Sequence, residues 1–389
     1  TSYAVSSCQN LSTASQTYYL IANASSPGGT CFNITNANVT LDCAGYTITG
    51  DNTIDTFGIY SNSLNSTIKN CIIKNFSTGI YASGNSSTIY NNTINSSYSG
   101  ARGIVTGGEL PIKNGLQAWF DSADSSSITL SGTKVSQWND KSGNARNATQ
   151  GTGSAQPWYN SSQSINGIQT IYFNGAQSLT TAQIPLGAFT VFSVFKVSSS
   201  LFLEQSVTSN TNPGQYLYGA TGCSINVYRG GSRSAKDYST NWGHANTPLI
   251  ATHLYDGTHA SNSLMINKTN LTITTCGVSA DAGTATVNDV FYIGSRAGTS
   301  LFTTGGFGEL AFYNRSLTPA EYTRVQDYLM NKWYYNLTNI NISNNTIWLN
   351  NSGTALLEGA ESSNVNATLN NLTSNVWVNN LGASNNFNL

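Results

Sequence analysis

The sequence predicts an all-β chain in which a parallel β-helix is interrupted by an antiparallel β-sandwich, or jelly roll, carrying one helix near its C-terminal end. Three observations predict it. Short segments recur at the spacing of one solenoid coil; the recurrence stops and resumes more than two hundred residues later; and the stretch between has a different composition and its own strand-length apolar runs.

The repeat comes first. Leu41-Asp42-Cys43-Ala44-Gly45-Tyr46-Thr47-Ile48, Ile68-Lys69-Asn70-Cys71-Ile72-Ile73 and Ile89-Tyr90-Asn91-Asn92-Thr93-Ile94 can be laid over one another, with Gly58-Ile59-Tyr60 and Gly79-Ile80-Tyr81 between them. Short strands with alternating apolar residues, separated by polar turns, return to their starting point one rung higher and stack like residues in ladders. One ladder is expected to read Asp42, Asn70, Asn91, and its neighbour Cys43, Cys71, Asn92. The next rung opens at Arg102-Gly103-Ile104-Val105 and breaks off. Its missing half is Asn341-Ile342-Ser343-Asn344-Asn345-Thr346-Ile347, which repeats the Ile89 segment almost letter for letter. The expected organisation is therefore a solenoid over 1–108, an inserted domain over 109–335, and the rest of the solenoid over 336–389.

Inside the insert, Phe189-Thr190-Val191-Phe192-Ser193-Val194-Phe195 and Leu249-Ile250-Ala251-Thr252-His253-Leu254-Tyr255 read as strands, with turn signals such as Asp256-Gly257 between them. Thr318-Pro319-Ala320-Glu321 reads as an N-cap, a proline in the first helical position and a capping-box glutamate. Tyr322, Val325, Leu329 and Trp333 then recur at helical spacing.

These segments carry two resemblances. The coils, with Gly29-Thr30-Cys31-Phe32-Asn33-Ile34 and Val39-Thr40-Leu41-Asp42-Cys43-Ala44-Gly45-Tyr46, resemble the right-handed parallel β-helix repeat family of pectin-lyase-like proteins. The insert resembles the laminin G-like, concanavalin A-like superfamily. The matching stretches are Gly115-Leu116-Gln117-Ala118-Trp119-Phe120-Asp121, Val135-Ser136-Gln137-Trp138-Asn139-Asp140-Lys141, Phe307-Gly308-Glu309-Leu310-Ala311-Phe312-Tyr313 and Tyr328-Leu329-Met330-Asn331-Lys332-Trp333. The second resemblance implies calcium as a candidate ligand, at Asp121, Asp124 and Asp140, although Asn139 to Asn144 also reads as a plain turn.

Composition narrows the function. Only 8% of the 389 residues are charged and the net charge is −1, against about 25% charged in an ordinary domain. Such a chain has no field with which to hold nucleic acid. With 39% hydrophobic residues it can still bury a large core. No apolar stretch reaches the ~20 residues of a membrane span. An opening Thr1 in place of Met fits removal of a leader peptide.

Asparagine, serine and threonine replace the charges, forming about twenty Asn-X-Ser/Thr sequons. In the first solenoid segment they start at Asn10, Asn23, Asn33, Asn38, Asn65, Asn75, Asn85, Asn91 and Asn95. The insert adds Asn147, Asn160, Asn267, Asn270 and Asn314. Asn336, Asn341, Asn344, Asn350, Asn366 and Asn371 complete the set. They read as turn residues, or as glycan sites that supply the missing solvation. Six cysteines fall as Cys8, Cys31, Cys43 and Cys71, then Cys223 and Cys276, with no zinc-type spacing. Even numbers in each group fit disulfides and an extracellular location. Spacing alone leaves the pairing open; stacking on adjacent rungs favours Cys43 with Cys71, and then Cys8 with Cys31.

Candidate catalytic groups are sparse. The coils carry Asp42, Asp51, Asp55, Glu358 and Glu361 with Lys69, Lys74 and Arg102. The Asp42 ladder continues as amides, Asn70, Asn91 and Asn344, which cannot transfer protons. Asp51 and Asp55 read as solvated loop residues. In the insert, Glu204 and Glu309 are isolated, and His244, His253 and His259 lack a nucleophile motif. Trp158, Tyr159, Tyr216, Tyr218, Tyr228, Tyr238 and Trp242 could stack on sugars or fill a core. The expectation is a secreted, glycosylated structural or adhesive surface protein, not an enzyme, that associates with copies of itself head to tail and displays a lectin-like domain. The alternatives are a non-assembling carbohydrate-binding adhesin and a polysaccharide-degrading enzyme.

Overall fold

The computed structural model describes residues 2–197, 203–205, 216–218, 225–229, 232–237, 247–271, 274–335, 339–349, 353–358, 366–368, 371–373, 376–380 and 386–388. The chain is nearly all β and forms two compact units, one of residues 1–114 and 327–389, the other of residues 115–326.

The first unit is a parallel solenoid of three sheets with eight, seven and six strands. In the largest, Thr40–Asp42, Thr67–Lys69, Thr88–Tyr90 and Asn341–Ser343 are successive neighbours, which places Leu41, Ile68, Ile89 and Ile342 in one inward column. A second column stacks Ile48, Ile73, Ile94 and Ile347. All eight are 0–1% exposed. Burying such a side chain contributes about 1.5–3 kcal/mol relative to leaving it in water, so the alternation of apolar and polar residues is what closes each coil. The strand Thr88–Tyr90 pairs directly with Asn341–Ser343. The chain therefore leaves the solenoid and re-enters it in unbroken register.

Glycine in the repeated Gly-Ile-Tyr strand has a steric cause. A Cβ on Gly79 would lie 2.6 Å from Ile94 Cγ2 and 2.8 Å from the Gly103 carbonyl oxygen. The turns have a different one: each needs a residue at positive φ. Asn70, Asn91 and Asn344 supply it at one corner, Asn38 and Asn65 at another, and Asn52 and Asn75 at the third. Asparagine tolerates the left-handed region better than other side chains that carry a Cβ.

Two disulfides, Cys43–Cys71 and Cys8–Cys31, tie the early rungs together. Cys223 lies outside the described residues, as does the side chain of Cys276. Next to the Cys43–Cys71 bridge, the same interior column continues as Asn92 and Asn345. The Asn92 amide donates to Asn345 Oδ1 at 2.9 Å, and Asn345 Nδ2 donates to the Ile89 carbonyl at 3.1 Å. The buried amides thus satisfy main-chain groups and each other.

The second unit is antiparallel. Its long central strand, Phe189–Val197, pairs with Leu249–Tyr255 on one side and Thr304–Tyr313 on the other. Thr304–Tyr313 pairs in turn with Leu116–Asp121 and Ile168–Asn174, and the strand network closes on itself. Phe120, Phe173, Phe189, Phe195, Phe307 and Phe312 belong to its apolar core.

The one α-helix among the described residues spans Pro319–Met330. Thr318 N–H donates to Glu321 Oε2 at 2.9 Å and Glu321 N–H returns a bond to Thr318 Oγ1 at 3.4 Å, the reciprocal capping box expected from the sequence. Val325, Leu329 and Trp333 are buried, and Tyr322 is half-buried. No described helix is long and apolar enough to cross a membrane.

Candidate functional site

Polar chemistry gathers in both units. In the solenoid it is the asparagine corner. Asn344 Nδ2 donates to Asn91 Oδ1 at 3.1 Å, Asn91 Nδ2 to Asn70 Oδ1 at 2.6 Å, and Asn70 Nδ2 to Asp42 Oδ1 at 2.9 Å. The Asp42 end departs from the expected ladder. Asp42 is opposite Lys69, one position before the corner, because residues 43–46 make a longer turn here than residues 70–71 do on the next rung. Its side chain reaches Asn70 from that strand position. Burial raises the Asp42 pKa, but hydrogen bonds from Asn70 and the Ala44 N–H, with the Lys69 ammonium 3.2 Å away, outweigh it and hold the carboxyl below its ordinary value. An ionised carboxylate therefore terminates a column of neutral amides, and a shallow groove runs beside it past Gly45, Asn70, Asn91 and Thr93.

The other solenoid candidates are apart from this corner. Asp51 is exposed and accepts the Thr53 N–H. Asp55 is not solvated as expected: its two carboxylate oxygens each accept a main-chain N–H, from Lys113 and Asn114, both at 2.8 Å. Burial outweighs these bonds and pushes its pKa up. Arg102 pairs with Glu109 at 3.4 Å, and Lys74 is exposed. The Glu358 side chain and Glu361 lie outside the described residues.

In the antiparallel unit, strand alternation turns Phe120 into the core and Trp119 and Asp121 to the opposite face, where Asp121 sits opposite Glu309. Trp119 Nε1–H donates to Glu309 Oε1 at 2.7 Å. Lys141 lies over the Trp119 ring at 4.4 Å and pairs with Asp121 at 2.9 Å and Asp124 at 3.0 Å. The Tyr159 hydroxyl donates to the Ser122 carbonyl at 2.9 Å. Burial, and then the negative charges of Asp121 and Asp124, push this phenol up to about 12, so it keeps its proton through the physiological range.

This arrangement answers the calcium expectation with a geometry of its own. The Lys141 ammonium occupies the position between Asp121 and Asp124. Asp140 turns elsewhere: its carboxylate accepts main-chain N–H groups of Trp119, Ser142 and Arg146 at 2.8–2.9 Å. Asp124 also caps a short 3₁₀ turn through the Ser126 N–H. The three carboxylates do not converge on a common point, and among the described residues no group of three metal-binding side chains does.

The histidines form a hydrogen-bonded chain that sequence spacing did not show. His253 Nε2 meets Asn262 Oδ1 at 2.7 Å, Asn262 Nδ2 donates to Ser234 Oγ at 2.9 Å, and Ser234 Oγ lies 2.9 Å from His259 Nδ1. Burial, then the nearby Lys236 charge, holds His259 below its ordinary pKa against the pull of Asp281, which fits a neutral imidazole accepting from Ser234. Glu204 is fully buried, accepts the Ala297 N–H at 2.8 Å and faces Arg296. Trp158 is half-buried beneath Lys134, 5.0 Å from its ring. The side chains of Tyr216, Tyr218 and Tyr228, and all of Tyr238, Trp242 and His244, lie outside the described residues.

No family model matches the chain, and no curated protein does. Solved structures that resemble it include domain 4 of the extracellular arabinanase AbnA of Geobacillus stearothermophilus, in complex with arabinotriose, at 14% identity and a TM-score of 0.37, covering 55% of this chain and 97% of that one. Another is the sialidase of Trypanosoma rangeli, at 14% identity and a TM-score of 0.36, covering 56% of this chain and 33% of the sialidase. A third is the binding domain of Paraclostridial Mosquitocidal Protein 1, at 13% identity and a TM-score of 0.34, covering 58% of this chain and 53% of that one. The chain thus spans about a third of the length of the sialidase. Against the expectation that the chain is not an enzyme, the structures it resembles include a domain of an arabinanase and sialidases. At such TM-scores the likeness assigns neither activity nor ligand to this chain.

Proposed function

We propose that the protein is a secreted, N-glycosylated surface scaffold in which a right-handed, pectin-lyase-like solenoid carries a laminin G-like jelly roll. The observation that carries this reading is the position of the sequons. Every sequon asparagine whose side chain is described is exposed or half-buried; on the solenoid Asn23, Asn38, Asn65, Asn75, Asn85, Asn91 and Asn344 stand between strands, where an ordinary protein would place charge, and Asn10, Asn33, Asn95 and Asn341 on strands. The buried amides of the same coils, Asn92 and Asn345, begin no sequon. Two disulfides support an oxidising compartment.

The same reading includes head-to-tail self-association. Ser2–Val5 and Asn386–Asn388 stand at opposite edges of the largest parallel sheet, each paired on one side among the described residues. Such edges template further strands, and contact between unlike ends propagates into a filament or lattice. Peptide-N-glycosidase treatment of natively produced protein, read by mass, tests the glycans; electron microscopy of the same material tests assembly. Loss of sugar mass and visible fibres or sheets are expected. An unmodified mass would remove the glycoprotein reading, and uniformly single particles at high concentration would remove assembly.

A further inference from the structure

A cavity of about 490 Å³ opens on the solenoid, at the turns between the seven-stranded and eight-stranded sheets. It falls within the ~300–1,000 Å³ typical of small-molecule sites. None of its nine lining residues is charged. Six define its chemistry: Asn36, Asn62, Leu64, Asn85, Asn331 and Tyr335.

Three of these amides are oriented by the protein. Asn331 Nδ2 donates to the Ser83 carbonyl at 2.9 Å and to Ser83 Oγ at 3.2 Å, which leaves its Oδ1 as an acceptor. Asn85 Nδ2 donates to the Tyr335 carbonyl at 3.3 Å, and Asn36 Nδ2 to the Ser12 carbonyl. Each donor faces a main-chain oxygen, so the opposite assignment would set oxygen against oxygen. The amide oxygens of Asn331 and Asn36 favour a ligand that donates. Beside them, Tyr335 and Leu64 are 60% and 55% exposed, among the most exposed large hydrophobic residues described.

We propose that this cavity is a binding site for an uncharged saccharide. Hydroxyl groups of the sugar donate to the amide oxygens of Asn331 and Asn36, while the C–H face of the ring packs on Tyr335 and Leu64. A charged ligand would find no counter-charge in the lining and would lose hydration without compensation. All nine lining residues belong to the solenoid unit, and the site stands whether or not the protein assembles.

Two sources can supply the same chemistry. Asn85 opens the sequon Asn85-Ser86-Ser87, and its Nδ2 is the atom that would carry an N-glycan. The sugar is then either a free saccharide or the first residues of the chain's own Asn85 glycan.

The test uses full-length protein in two forms, one made without N-glycosylation and one made natively. Binding of maltotriose, cellotriose, mannotriose and chitotriose to the unglycosylated form is measured by saturation-transfer NMR. Binding of at least one, weakened at least tenfold in Tyr335→Ala and unchanged in Trp348→Ala, identifies a free saccharide; Trp348 is an exposed aromatic on the solenoid outside the cavity. In the native form, an Asn85 glycan that resists peptide-N-glycosidase without denaturation, and becomes cleavable in Tyr335→Ala, identifies the internal source. Absence of both results overturns the proposal, as does any binding that Tyr335→Ala leaves intact. Circular dichroism of each variant confirms that the solenoid is folded.

Discussion

Trp119 and Glu309 are joined by a 2.7 Å hydrogen bond from the indole nitrogen to the carboxylate, across 190 residues of chain, with both side chains at most 1% exposed. The bond satisfies an indole donor that has no access to water. Glu309→Ala leaves that donor unmet and is expected to destabilise the antiparallel unit by about 1–3 kcal/mol. Glu309→Gln keeps an acceptor of the same shape and should be milder. Urea denaturation followed by tryptophan fluorescence measures both. Equal effects of the two variants would show that the bond itself contributes little.

Lys141 supports the same face. Its ammonium lies between Asp121 and Asp124, whose side chains are 2% and 11% exposed. Lys141→Met removes the only positive charge paired to both in the described structure and is expected to destabilise by about 3–5 kcal/mol, the range for breaking a buried ion pair from one side. The double variant with Asp121→Asn should recover part of that loss, because one of the stranded charges is gone. A double-mutant cycle by chemical denaturation reads the recovery; simple additivity would mean the pair is not coupled.

Two adjacent asparagines should behave very differently. Asn345 is 1% exposed; its Oδ1 accepts from Asn92 and its Nδ2 donates to the Ile89 and Ser343 carbonyls. Asn345→Ala strands buried main-chain groups and should cost about 1–3 kcal/mol. Asn344→Ala removes an exposed ladder bond and a side chain suited to positive φ, and should cost about 1 kcal/mol or less. Thermal melts of the two variants compare them directly.

Acid stability has an identified contributor. Arg315 grips both oxygens of Glu321, at 2.8 and 2.7 Å, and this pairing, with the capping bonds from Thr318, lowers the Glu321 pKa to about 2 against burial that raises it. The folded pKa lies below the ordinary 4.5, so the native state binds this proton less readily than the unfolded chain does. The resulting stability is fully present above about pH 4.5 and is lost as pH falls toward 2. Glu321→Gln should lower the melting temperature at pH 6 and flatten its decline between pH 4.5 and 2. A variant whose decline in that window matches the parent would place the acid sensitivity elsewhere, Asp42, Asp51 and Asp256 being other carboxylates with a lowered pKa.

The solenoid was legible because its determinants are local and repeated. Ile68, Ile89 and Ile342 each sit in the same short pattern, and asparagine at positive φ recurs at all three corners. The helix start at Thr318 was legible for the same reason. Polar residues were harder to read, because their roles depend on partners distant in sequence. Asp55 looked like a solvated loop residue until Lys113 and Asn114 supplied its two N–H groups, 58 and 59 residues away. Asp121, Asp124 and Asp140 were a candidate cation-binding set by family likeness. The geometry gives Asp121 and Asp124 to Lys141 and Asp140 to main-chain donors. The sign was present beside Asp140, where Lys141 follows at once, but its reach back to Asp121 comes from strand pairing. Asp42 shows the smaller failure: equal letters suggested a ladder, and the longer turn after it moved the residue one position off the corner.

The splice between Thr88–Tyr90 and Asn341–Ser343 also sets an order in time. Asn91 and its partner Asn344 are 253 residues apart, and at ~5–20 residues per second a ribosome needs roughly 13–50 s to deliver the second after the first. For that interval the nascent solenoid ends in an uncovered strand while the whole insert is still being made. The early rungs, already cross-linkable through Cys8–Cys31 and Cys43–Cys71, must wait in a shape that admits one particular successor, and a second nascent copy offers the same strand. Synthesis that is slow or crowded therefore favours exchange of the returning segment between neighbouring chains.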